Sequence, residues 1–117
     1  MTEHKNLIVW KKGVDLTTYI YQITKDFPHE ERYGLVDQIR RASVSIPSNI
    51  AEGSKRSTKK DFKSFLHFAL GSVAELETQI IIAINLKYIN EKDSVYPLKE
   101  LDEISKILHT LIKRLSD

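Results

Sequence analysis

Gln38, Arg41, Ser45 and Glu52 recur at three-, four- and seven-residue steps, with Asn49 close by, so a helix would gather these polar groups along one side. Ser72 and Glu75, one segment further on, could face them. Such a set can do one of three things. It can form a buried hydrogen-bond and ion-pair network, Arg41 with Glu75 or Glu52, that fixes helix register. It can line a ligand or catalytic pocket, or it can lock two subunits together. Nucleophilic catalysis by serine needs a base beside the hydroxyl, and no histidine falls within reach of Ser45 or Ser72. The histidines (His4, His29, His67, His109) are scattered, and none completes the Glu-x-x-His pair that holds di-iron in helical bundles. The chain has no cysteine, which removes thiolate nucleophiles, disulfides and Cys-ligated metals and fits a reducing cytoplasm. It also lacks a Walker loop, a Gly-rich dinucleotide turn and a Gly-x-Ser-x-Gly elbow. No enzymatic activity, metal or cofactor is expected.

A second group is electrostatic: Arg40, Lys55, Arg56, Lys59, Lys60 and Lys63. From Arg32 to Lys63 eight bases stand against three acids, a local +5 in a chain whose total is only +2. Lysines in the first turn of a helix oppose its macrodipole, so their position costs a little stability. That placement suits an anionic partner, RNA or DNA, bound through phosphates. No RNA-recognition aromatic platform and no helix-turn-helix accompanies it, so any binding would tolerate sequence changes. An ordinary solvated charged surface explains the same residues.

What must position these groups is helical. A chain of 117 residues, 41% hydrophobic and 29% charged, reads as one domain, residues 1–117. Phe62, Leu66, Ala69, Val73, Leu76, Ile80 and Ala83 advance by alternating fours and threes, the seam of a left-handed bundle. That helix, capped by Ser57 or Thr58 with Asp61 in support, is expected to run to about Ile89. Leu101, Ile104, Leu108, Leu111 and Leu115 repeat the pattern in a last helix opened by Pro97, after a polar link over 90–96. Upstream, Val9, Leu16, Ile20, Ile23 and Phe27 mark a first helix halted at Pro28. A second carries Leu35, Ile39, Ala42, Ile46 and Ile50, bends at Pro47 with help from Ser43 or Ser45, and ends at Gly53 as a left-handed C′ residue. Four such helices with short links predict an all-α, antiparallel, up-down-up-down four-helix bundle.

Trp10, Val14 and Tyr21 on the first helix, and Phe65, Phe68, Leu70, Ile81 and Ile82 on the third, are apolar residues outside the seams. They predict a second buried surface, between copies of the chain or against another protein. The polar start, Met1 to Asn6, has no secretory apolar core, and no run approaches the ~20 uncharged apolar residues that span a bilayer. A cytoplasmic protein without membrane contact is expected.

Several stretches together carry a family likeness: Phe27-Pro28, Glu31, Tyr33-Gly34-Leu35, Gln38-Ile39-Arg40-Arg41-Ala42, Ser45-Ile46-Pro47 and Asn49-Ile50-Ala51-Glu52-Gly53. Phe62, Phe65, Ala69, Gly71-Ser72 and Glu75-Leu76-Glu77 complete the set. The chain resembles the four-helix bundle proteins encoded in intervening sequences of bacterial 23S rRNA genes. That family is similar in turn to the accessory protein of diversity-generating retroelements, a homopentameric bundle whose basic surface binds nucleic acid and a reverse transcriptase. The resemblance implies a ring-like homo-oligomer, a homopentamer, and it implies no catalytic role.

Overall fold

In the computed structural model, His4 and residues 7–116 are described, and four long helices hold nearly all of them: α1 (Ile8–Thr24), α2 (Leu35–Ser54), α3 (Lys59–Asn85) and α4 (Glu91–Ser116). Apart from His4, the polar leader at residues 1–6 lies outside the described residues. Each helix packs on its chain neighbours, and α1 closes the bundle against α4. Contacting residues run in opposite directions on each pair. On α1 and α2, Thr17 meets Ser43 and Gly13 meets Pro47. On α2 and α3, Ser45 meets Ser72 and Gly53 meets Phe65. On α1 and α4, Tyr19 meets Asp93 and Lys12 meets Glu100. The up-down-up-down order follows directly, in a body of 45 × 23 × 20 Å.

The core is what the seams dictate. All seven seam residues of α3 are buried, together with Val9, Leu16 and Ile20 of α1, Ile39, Ala42, Ile46 and Ile50 of α2, and Leu101, Ile104 and Leu108 of α4. Leu111 and Leu115 pack only partly, near the C-terminal end of α4. Among the described residues, α3 alone is long and apolar enough to cross a membrane by length and composition. Its seam instead fills this core.

Two prolines sit inside helices, and each frees the carbonyl four residues upstream. For Pro47 that is Ser43 O, which accepts a hydrogen bond from the Thr17 hydroxyl at 2.9 Å. For Pro97 it is Asp93 O, which accepts from the Tyr19 hydroxyl at 2.7 Å. One helix, α1, therefore satisfies both of its neighbours' broken ladders. The serines expected to serve Pro47 do other things: Ser43 Oγ donates to Arg40 O and Ser45 Oγ lies 2.7 Å from Ser72 Oγ. The α2 helix runs through Pro47 without interruption.

Several boundaries differ from the sequence expectation. Thr24 ends α1, and Phe27 is buried from the turn that follows. Gly53 is helical, with no positive φ at any glycine. Its missing side chain serves a close approach, since a Cβ there would stand 2.7 Å from Phe65 Cβ. Thr58 does cap α3, accepting from Asp61 N at 3.1 Å. The helix stops at Asn85, short of Ile89, because Lys87 takes φ 64° and Tyr88 N returns to Ala83 O at 2.9 Å, closing a Schellman turn. Asn90 then caps α4 through Asp93 N at 2.7 Å. That helix starts a full turn and a half before Pro97, in the stretch expected as a link.

Candidate functional site

The polar side of α2 is only partly assembled. Ser45, Asn49 and Ser72 come together: Asn49 Nδ2 donates to Ser45 Oγ at 2.9 Å, and the two serine hydroxyls bond across the α2–α3 contact. Ser72 Oγ also reaches Phe68 O, so every hydroxyl is occupied by the bundle itself. Arg41 and Glu52 do not join. Arg41 pairs with Asp37 on its own helix at 2.9 Å and its side chain is 79% exposed, while Glu52 pairs with Arg56 at 3.2 Å. Glu75 and Gln38 are exposed. The expected Arg41 partners are therefore wrong: Arg41 and Glu75 are exposed, and ion pairs one turn apart hold Arg41 with Asp37 and Glu52 with Arg56. The assembled part is a three-residue hydrogen-bonded clasp between helices. Among the described residues neither serine hydroxyl hydrogen-bonds to a histidine or a carboxylate.

The basic residues separate into two places. Lys55, Arg56, Lys59, Lys60 and Lys63 surround the short α2–α3 connection. Arg56 also stacks on the Phe65 ring, 4.6 Å from its centroid. Lys63 Nζ donates to Ser116 Oγ at 3.3 Å, which brings the last turn of α4, with Lys113 and Arg114, to the same end of the bundle. Counted in sequence over residues 52–63 and 113–117, seven bases stand against three acids (Glu52, Asp61, Asp117), a net +4. Lys113 and Arg114 were not singled out in sequence, because only the antiparallel return of α4 carries them there. Lys59, Lys60 and Lys113 are exposed.

Arg40 is elsewhere. It lies fifteen residues before Lys55, about 22 Å along α2. Its Nε donates to Thr24 Oγ1 at 2.9 Å, and its Nη2 donates to Tyr21 O at 3.2 Å. Its guanidinium also lies over the Tyr21 ring at 4.6 Å. It caps the end of α1 and does not belong to the basic tip.

Around these groups the frame is tied at both sides. Lys12 of α1 reaches Glu103 at 2.7 Å and Glu100 at 3.3 Å on α4. The hydrogen bond to Glu103 raises the Lys12 pKa above its usual 10.5, and the same bond lowers Glu103 below its usual 4.5. Tyr88 donates to Glu31 Oε2 at 3.0 Å, a bond that raises the phenol pKa, while Glu31 Oε1 accepts from Leu35 N at the start of α2. Among the described residues no cluster of three or more His, Asp or Glu could hold a metal ion.

Comparison with known proteins adds a lineage to this geometry. The model of the family described as 23S rRNA-intervening sequence protein matches residues 5–110. A crystal structure of a protein with unknown function from the S23 ribosomal protein family of Bacteroides thetaiotaomicron superposes with a TM-score of 0.84 at 27% identity. The match covers 91% of this chain and 99% of that one. No curated protein matches the chain.

Proposed function

Given that the chain belongs to the 23S rRNA-intervening sequence protein family, we propose that it is a non-enzymatic, homo-oligomeric accessory protein, a cytoplasmic pentamer that binds RNA or DNA through phosphates. The observation that carries this reading is the basic tip. Seven cations from two distant chain segments crowd one end of the bundle, and the lysines at the start of α3 sit against an unfavourable dipole. Fivefold repetition would multiply that tip into a broad positive surface.

Exposed apolar groups support the assembly. On α3, Phe68 is 57% exposed, and Ile82 and the C-cap residue Leu86 follow on the same side, with Gly71 and the exposed Glu75 between them. Beside α1, Tyr21 and Val44 flank an open groove of about 610 Å³ along α2, whose other lining residues are polar: Asp37, Arg40, Arg41, Ser45 and Ser48. The two surfaces are different, as a head-to-tail ring requires. They serve equally for a partner protein, and a scaffold without nucleic-acid contact is the second reading.

Fluorescence anisotropy with short labelled RNA and DNA at about 50 mM salt tests the first reading. Binding that weakens when Lys59, Lys60 and Lys113 become alanine supports it. No binding by the wild type leaves the basic tip a solvated surface and the scaffold reading in force.

A further inference from the structure

Arg40 is a half-buried arginine with no carboxylate partner among the described residues. Two hydrogen bonds and the Tyr21 ring fix its guanidinium, and those bonds use two of its five N–H groups. It lines a cleft of about 300 Å³ at the end of the bundle opposite the basic tip, where the α1–α2 turn folds over the start of α2. Lys25, His29 and Arg32 line the same cleft, Phe27 and Val36 give it an apolar floor, and no carboxylate lines it. Burying polar or charged groups costs free energy unless something pairs them, so a fixed cation over an apolar floor is poised for an anion.

Arg32 extends the cleft outward. Its guanidinium lies 5.6 Å from the centroid of the Tyr33 ring, and Tyr33 is 87% exposed. A tyrosine so exposed has no packing role, and an aromatic face beside a guanidinium is what a nucleobase stacks upon. We propose that this cleft binds a single nucleotide unit, its phosphate held by Arg40, Lys25 and Arg32 and its base against Tyr33. The cleft is near the lower end of ligand-pocket sizes, which suits one nucleotide and excludes a duplex. The site is independent of the basic tip and stands whether or not that tip binds nucleic acid. The phosphate could belong to a free mononucleotide or to a single-stranded end.

Titration of the isotope-labelled full chain, followed by amide chemical shifts, tests it with three probes: inorganic phosphate, adenosine monophosphate and a 5′-phosphorylated decathymidylate. Saturating shifts at Lys25, His29, Arg32 and Tyr33 with a Kd below about 1 mM for the monophosphate are expected, and weaker ones for phosphate alone. Arg32→Ala and Tyr33→Ala should each weaken that binding at least about fivefold with the melting temperature unchanged, a loss of roughly 1 kcal/mol by RT ln 5. Lys59→Ala with Lys60→Ala should leave it intact. A decathymidylate binding about tenfold tighter identifies a strand end as the source, and equal affinity identifies the free nucleotide. Shifts confined to the α2–α3 end, or no saturation with any probe, overturn the proposal.

Discussion

Thr17 does more than its position on a surface-leaning helix suggests. Its hydroxyl is shared between Gly13 O and Ser43 O, and Ser43 is fully buried where Pro47 removes the usual donor. Thr17→Val keeps the shape and deletes the donor, so the stranded carbonyl should cost about 1–3 kcal/mol in denaturant melts. Thr17→Ser should recover most of it. Equal stability of the valine variant would mean that water reaches Ser43 O. This pairing was not legible in sequence. Pro47 announced a freed carbonyl, but its partner lay 26 residues away on another helix, whereas Ser43 and Ser45 stood beside it. The Arg41 pairing failed for the opposite reason: Glu75 or Glu52 was expected, and Asp37, one turn away on the same helix, won.

At the scale of the elements, two glycines separate packing from propensity. Alanine favours a helix over glycine by about 1 kcal/mol. At Gly71 a Cβ meets nothing within 4 Å, so Gly71→Ala should stabilise the isolated bundle by up to that amount. At Gly53 the Cβ would press on Phe65 and Phe62, and overpacking of about 1–3 kcal/mol outweighs the propensity gain. Gly53→Ala should therefore lower the melting temperature. A rise there would show that α2 and α3 can part without cost. The α1–α4 clamp carries a pH signature. The lowered Glu103 pKa contributes stability above its usual 4.5, lost as acid protonates it, and the raised Lys12 pKa contributes below 10.5, lost as base removes its proton. Glu103→Gln should lower the melting temperature at pH 7, and the difference should vanish as the pH falls well below 4.5. A pH-independent difference would assign the loss to packing. The four helices and nearly every core residue were readable because the heptad-like spacing of α3 and α4 is strict. Their ends were less so: Lys87 adopts a conformation usually left to glycine, and Gly53 declines it.

For the whole molecule, phosphate binding of the kind proposed needs an assembly that displays a cationic tip. Gly71 lies in open space on the outward face of α3, so Gly71→Arg should fold as a bundle. In the proposed ring the bulky cation would stand in the contact made by Phe68 and Ile82. Light scattering after size exclusion should give about five times 13.5 kDa for the wild type and a smaller mass for the variant. A concentration-independent monomer in the wild type would end the ring reading. The basic tip itself was half legible: Lys55 to Lys63 stood out as a run, whereas Lys113 and Arg114 joined it only through the return of α4. Phosphate binding by the tip is read most directly in the salt dependence of nucleic-acid affinity. The logarithm of the binding constant should fall linearly with the logarithm of salt concentration, with a slope near −0.7 to −0.9 per phosphate neutralised, about equal for RNA and DNA of unrelated sequence. Replacing Lys59, Lys60 and Lys113 by alanine should flatten that slope while the helical content and mass stay unchanged. A slope near zero in the wild type, or one that the three substitutions leave as it was, would contradict phosphate binding by this tip.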